Sequence, residues 1–559
     1  MRKLSRDKQL IQKVFVLLLL AGPIIGLACA KISGNNKALG DPRIHGPVLT
    51  EGWYQQDKNR LDKQLEDYLV IAQKYFDVHT DPATIRALIA PHASYAFVGL
   101  CAATAYQALL QKDVHKPHYK SQKNGIIKRV IVLAPSHYAS FKNIALPNFT
   151  LYQTVLGDLP VDQEAIAQLG KKTSLFKINP EAYRQEHALE MQLPFLQKTV
   201  ANFKLVPLII GTLTTNDLPE IVSGLKEIID DTTLLVLSSD FVHYGRNFDY
   251  TPFHDHILDR IRLIDSRVVQ ALASLSPKLF DEAIQQTRAT VCGREPLRIF
   301  LALVEAGTYQ GLESRLTCYY TSPQIEKART KNGEEINAQK LLDDVPDTNA
   351  THSVSYVGMV FTTQKNKSLP LIDRWTGYEK KVLLRLARQS IAQQFMPPTQ
   401  KKDATLMAPI ASAGLIAPAG AFVTLTTKQG DLRGCIGRIV TNDPLFVTVR
   451  NMAKAAAFED SRFSPLSAKE LENIVIDISL LEPPVKIASW KDIIIGKRGV
   501  ILTKGPASAI FLPQFAPEQK WDIATTLEHL SLKAGLASDA WKEGCTFEVF
   551  EGCEIKEVL

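Results

Sequence analysis

From about Arg43 to Phe361 the chain alternates short apolar runs with longer stretches of helical periodicity. Ala87 to Ala90, Val130 to Leu133, Leu205 to Ile210 and Leu234 to Leu237 are unbroken apolar runs, the pattern of strands buried on both faces. Gly99 to Leu110 and Leu218 to Ile229 repeat apolar residues at helical spacing. This alternation predicts an α/β fold with a mostly parallel central sheet covered by helices. The polar stretch Pro323 to Thr351 reads as a solvated insertion, Ser355 to Phe361 as a closing strand, and Gln364 to Lys367 as a linker.

The texture then changes. Tyr378 to Phe395 is periodic as a helix, and Ala421 to Thr427 with Leu432 to Val440 reads as a hairpin across Lys428-Gln429-Gly430-Asp431. Asp443 and Pro444 are expected as the N-cap and first residue of another helix. Strands and helices here are mixed rather than alternating, which predicts a smaller α+β domain. The expected organisation is a leader over residues 1–30, a first domain over 43–361 and a second over 375–559.

The 559 residues are 45% hydrophobic and 22% charged, a composition that excludes a wholly disordered, collagen-like or multi-span membrane chain. The formal charge is +7, but Arg2, Lys3, Arg6, Lys8 and Lys13 supply much of it against Asp7 alone. The body is therefore nearly balanced, and a nucleic acid is not an expected partner. Residues 14–30 form an uncharged apolar segment behind that basic start and end in Ala28-Cys29-Ala30, the arrangement of a secretory signal peptide. An uncleaved anchor and lipidation at Cys29 are the competing readings. All three place the body outside the cytoplasm, with membrane contact only through the N-terminal segment.

Seven cysteines are too few for a disulfide scaffold, and no CxxC pair is present. If Cys545 and Cys553 share one continuous strand, they lie too far apart to bond. The chemistry instead gathers at strand ends, where open α/β sheets bind their ligands. One strand leads into Pro91-His92, a second into Ala134-Pro135-Ser136-His137, and a third into Ser238-Ser239-Asp240-Phe241-Val242-His243. Three histidines and a carboxylate are thus expected on one rim.

The ordered motifs ALIAPHASY, VLAPSHY, EHALEMQLPFL, SSDFVHYG and TVCGREP resemble those of the Memo family, whose fold is similar to class III extradiol dioxygenases. The resemblance covers about residues 43 to 361. It implies a metal held by His92, His137 and Cys292, with Asp240 and His243 facing the same pocket. His243 would then act as acid/base and Asp240 would orient a ligand. Two imidazoles and a thiolate leave coordination positions open, and iron(II) is the first expectation, with zinc or copper suited to the same donors. Glu186 and His187 would support a ligand from behind, although the spacing of Glu186 and Glu190 also suits a solvated helix face. Ser94, Tyr138, Val242 and Glu295 depart from the family pattern, which touches pocket polarity rather than the ligand set.

GDLRGCIG, FEDSRFSPL and LLEPP resemble the AMMECR family over about residues 375 to 559. The fusion resembles the AmmeMemoRadiSam set, in which a separate radical SAM enzyme is the third component. Arg433, Cys435 and Gly437 would share one strand face, so the guanidinium could activate Cys435 as a catalytic nucleophile. Alternatively, LRGCIG is a tightly packed strand with Arg433 paired to Glu459 or Asp460. The expected function is a non-haem metal-dependent redox or dioxygenase-like enzyme acting on an unidentified small molecule or peptide. A non-catalytic metal-binding or protein-interaction module using the same pocket is the alternative.

Overall fold

The computed structural model describes residues 43–557 apart from 79, 111–122, 330–335, 343–350, 364–373, 402–407, 411 and 483. The leader, Cys29 and the linker at 364–367 lie outside the described residues. No helix among the described residues is long and apolar enough to cross a membrane.

The apolar runs become the centre of a 9-stranded sheet. Ile85–Ala90, Thr233–Ser238, Arg129–Pro135 and Lys204–Ile210 lie side by side in that order, and each neighbouring pair is parallel. Their residues are almost all buried, as strands covered on both faces require. The flanks are mostly antiparallel: Ser353–Thr363 pairs with Ile85–Ala90, Leu312–Thr321 and His243–Tyr244, and Ile144–Leu146 with Lys204–Ile210, while the edge strand Phe176–Ile178 runs parallel to Ile144–Leu146. The expected parallel sheet is therefore its core, with antiparallel strands closing it. Helices cover it, among them Tyr95–Tyr106 and Arg294–Glu305.

Boundaries shift where the apolar signal is incomplete. The helix expected from Gly99 begins at Tyr95, one turn earlier, with the Ser94 carbonyl accepting its first backbone bond from the Val98 amide at 3.0 Å. The one expected from Leu218 to Ile229 ends at Lys226. The stretch expected as a solvated insertion is partly packed: Ser322–Ala328 is a helix burying Ile325 and Ala328, and Ala338 and Leu341 are also buried. Those four side chains, scattered through polar sequence, suffice to dock it.

A second, 7-stranded sheet carries Leu432–Arg438, Gly420–Thr427, Ile474–Leu481, Thr546–Lys556, Arg498–Lys504 and Ala507–Phe511 in that order, with Val485–Ile487 paired to Thr546–Lys556. Its pairs are antiparallel. Helices Gly377–Ala392 and Leu445–Phe458 pack on it. Pro444 is the N-cap of the latter, one position later than expected, so Asp443 stands outside the helix. Gly434 lets that helix approach: a β-carbon there would sit 2.1 Å from the Ala456 carbonyl oxygen. Between the two sheets, the Thr376 hydroxyl donates to the Leu316 carbonyl at 2.8 Å and Arg262 Nε to the Ala408 carbonyl at 3.1 Å.

Candidate metal centre

Parallel strands share one carboxyl edge, so the residues that follow Ala90, Pro135 and Ser238 emerge together. Ligand atoms of His92, His137 and Cys292 all lie within 4.8 Å of one another there. Cys292 immediately precedes Gly293, the N-cap of helix Arg294–Glu305. Its sulfur is 3.1 Å from His92 Nε2. Gly293 is required at that turn by space rather than by torsion, since a β-carbon would meet the Ser239 β-carbon at 2.3 Å.

The tautomer of each imidazole follows from its neighbours. The Ser238 hydroxyl donates its single proton to the Ala188 carbonyl at 2.6 Å, so its oxygen can only accept from Gln192 Nε2 and from His92 Nδ1, each at 2.8 Å. His92 therefore carries its proton on Nδ1 and offers the Nε2 lone pair. His137 is fixed likewise: Nδ1 donates to Glu186 Oε1 at 2.8 Å and the backbone amide donates to Glu186 Oε2 at 2.6 Å. A ligand imidazole held by a carboxylate or hydroxyl on its far nitrogen is the usual support for a metal.

Electrostatics favour the same use. Burial, then the neighbouring His137, His187 and His243, hold His92 well below the usual imidazole range, which keeps it neutral and able to ligate. Burial and the adjacent Asp240 push the Cys292 thiol well up, so it ionises only when a cation arrives beside it. Burial alone would raise Glu186, but its hydrogen bond to His137 and the charges of His137 and His187 outweigh that and hold it down. The donor set thus fits a transition metal with open coordination positions.

Asp240 lies beneath the site: Oδ1 accepts from the His92 amide at 2.8 Å, and its own amide donates to the Cys292 sulfur at 3.2 Å. Burial pushes its carboxyl above the usual carboxylate range, opposed by His243 and the His92 amide. His243 hydrogen-bonds through Nδ1 to the carbonyls of Phe241 at 2.8 Å and Thr290 at 3.0 Å, which fixes the proton there and leaves the lone pair on Nε2. His187 packs its ring 4.5 Å from that of His137 and 4.7 Å from Trp53. Its buried Nδ1 has no hydrogen-bond partner, and burial followed by His137 lowers it to about 4. His137, Glu186 and His187 form another group of converging donors, but Glu186 already holds His137.

Glu186 and Glu190 do not share a solvated face. Glu186 caps the single turn His187–Glu190, whereas Glu190 accepts from the Val48 and Leu49 amides and from the Tyr54 hydroxyl. Glu295 is ion-paired with Arg298 at 2.9 Å. Ser238, Gln192, Thr290 and Trp53 were not among the expected site residues; only the position of Ser238 at a strand end could have signalled one of them.

Cys435 stands on the other sheet. Arg433 is paired with Glu470 at 2.8 Å rather than with Glu459 or Asp460, and it also donates to the Ser464 carbonyl. Asp460 instead binds Arg462 at 2.7 Å and accepts from the Cys435 amide. Cys435 and Cys553 lie on strands and Cys545 just before one, and all three are free thiols.

Residues 47–332 match the model of Memo-like proteins and residues 384–555 that of AMMECR1. Protein MEMO1 of Xenopus laevis is 32% identical over 257 residues, covering 44% of this chain and 80% of that protein. Protein MEMO1 of Homo sapiens is 30% identical, with 44% and 80% covered. A crystal structure of an uncharacterized protein, PH0010, from Pyrococcus horikoshii is 31% identical, covering 31% of this chain and 89% of that one at a TM-score of 0.29. With the Memo model matched over half its length, the chain belongs to the Memo family and carries an AMMECR1 domain fused behind the Memo-like one.

Proposed function

We propose that the chain is a non-haem metal-dependent oxidoreductase of dioxygenase-like type, with iron(II) held by His92, His137 and Cys292. The observation that carries this reading is the pair of fixed tautomers: both imidazoles are protonated on Nδ1, His92 turns Nε2 to the Cys292 sulfur, and ligand atoms of all three residues lie within 4.8 Å of one another. Bound there, iron(II) would supply a redox centre with vacant coordination positions. His243, its Nδ1 proton tied to two carbonyls, takes up a substrate proton at Nε2 and returns it later. Asp240 fixes the His92 amide and the Cys292 turn, holding two ligands in register. The substrate is an unidentified small molecule or peptide.

The same reading takes the protein as exported and a separate radical SAM enzyme as its partner. A mature N-terminus at Lys31, or at a lipid-modified Cys29, would support export, and an intact Met1 on a soluble cytoplasmic protein would refute it. The enzymatic reading is tested by adding nitric oxide to anaerobic iron(II)-loaded protein. An open coordination position predicts a new electronic and paramagnetic signal, and an unaltered spectrum would favour a closed, non-catalytic metal site.

A further inference from the structure

Two short segments meet at the metal centre, and side chains do the joining. Ser239 to His243 follows strand Thr233–Ser238, and Thr290 to Gly293 links helices Pro277–Thr287 and Arg294–Glu305. Among the described residues no backbone–backbone hydrogen bond connects the two. The Gly293 amide donates to the Ser239 hydroxyl at 3.1 Å, and the Asp240 amide donates to the Cys292 sulfur at 3.2 Å. The remaining contacts gather on Thr290. Its hydroxyl accepts from the His243 amide at 2.8 Å and donates to the His243 carbonyl at 2.9 Å, while its own carbonyl accepts from His243 Nδ1 at 3.0 Å.

His243–Tyr244 is an edge strand of the first sheet, so one side of its backbone has no strand beside it. There the Thr290 hydroxyl does what a neighbouring strand would do, pairing both backbone groups of His243 through one oxygen. One residue thus fixes His243 at three points. It stands two positions before Cys292, in the same loop.

The grips of Cys292 and Thr290 differ in what becomes of them when a metal binds. The single thiol proton of Cys292 is offered to His92 Nε2 at 3.1 Å and to the Asp240 carbonyl at 3.4 Å. As a ligand the sulfur is a thiolate with no proton to give. Cys292 then holds the Asp240 segment only by accepting its amide. Thr290 loses nothing, because the centre draws on neither its hydroxyl nor its carbonyl.

We propose that Thr290 is the positioning residue for His243: its hydroxyl keeps the imidazole protonated on Nδ1, with Nε2 open to a proton, in the metal-loaded protein as in the metal-free one. This inference rests on the reading of His243 as the group that takes up the substrate proton. Thr290→Val keeps the shape of the side chain but removes donor and acceptor together, which leaves the His243 amide and carbonyl unpaired. The ring then loses its set place against the two carbonyls that hold its Nδ1 proton.

The test uses the full chain with ring-labelled nitrogen-15 histidine at about pH 8, where imidazoles are neutral, both metal-free and loaded with zinc, a diamagnetic ion suited to the same donors. Long-range proton–nitrogen spectra read the tautomer of each imidazole, and His243→Ala assigns the signal. The unmutated protein should show His243 almost wholly in the Nδ1–H form in both states, with its amide protected from exchange. Thr290→Val should bind zinc as the unmutated protein does, yet its ratio of Nδ1–H to Nε2–H at His243 should fall about fivefold to tenfold, the worth of one hydrogen bond. Thr290→Ser should restore the ratio. A merely structural hydroxyl would lower stability and leave the tautomer alone, so an unchanged ratio in Thr290→Val would overturn the proposal. Zinc loss in that variant would also overturn it, by placing the hydroxyl in the support of the metal. Should Thr290→Val fail to fold, free exchange of the His243 amide in the unmutated protein is the overturning result and protection the supporting one. If the unmutated protein takes up no zinc, the metal reading fails while the metal-free spectra still decide the role of Thr290.

Discussion

Glu186 holds His137 twice, its Oε1 taking the ring Nδ1 proton at 2.8 Å and its Oε2 the backbone amide at 2.6 Å. One carboxylate thereby sets both the tautomer of the imidazole and the path of the chain that carries it. Glu186→Gln keeps the shape but removes the charge. Metal affinity should fall about 10- to 100-fold, the usual effect of losing a support behind a ligand. A metal titration showing unchanged affinity would return Glu186 to a purely structural role.

Ser238 does for His92 what Glu186 does for His137. Ser238→Ala leaves Nδ1 of His92 without an acceptor, whereas Gln192 Nε2 keeps the Pro91 carbonyl at 3.2 Å. Unpaired buried donors cost about 1–3 kcal/mol. The expected result is a less stable protein with weaker metal retention, read by denaturant unfolding and metal analysis. Wild-type values for both would remove Ser238 from the account.

His243 and the metal should separate cleanly. His243→Ala is expected to leave metal content unchanged, because neither group of converging donors contains it. Substrate turnover, once a substrate is found, should fall about 10²- to 10⁴-fold. Loss of metal in this variant would make His243 a ligand.

Asp265 supplies a pH test that involves none of the metal ligands. It is fully buried, accepts from the Val242 amide at 3.2 Å and the Tyr319 hydroxyl at 3.0 Å, and burial pushes it up to about 7. A carboxyl whose folded value is raised binds its proton more tightly when folded. Its stabilising effect is complete below the unfolded value near 4 and is lost as pH rises toward 7. Thermal unfolding of the parent protein should therefore move to lower temperature between about pH 4 and 7, and Asp265→Asn should flatten that decline. Parallel profiles would contradict it.

The apolar runs made the four central strands legible, because strands buried on both faces contain little else. Leu312–Thr321 was not legible: Glu313, Ser314, Arg315 and Thr317 interrupt it, and its support comes from antiparallel pairing with Ser353–Thr363. His92, His137 and Cys292 stood out through motif and strand-end position. Ser238 stands at a strand end, a position that could have marked it, but its bond to Gln192 joins residues 46 apart in sequence, which no local pattern records. The same holds for Arg433, whose partner Glu470 is 37 residues away.

The most direct measurement is the metal content of anaerobically purified protein and of His92→Ala, His137→Ala and Cys292→Ser. The account predicts about one transition metal per chain in the parent protein, and strongly reduced retention in each variant at unchanged folding, because each removes one of three ligands. Parent-level metal in all three variants would contradict it.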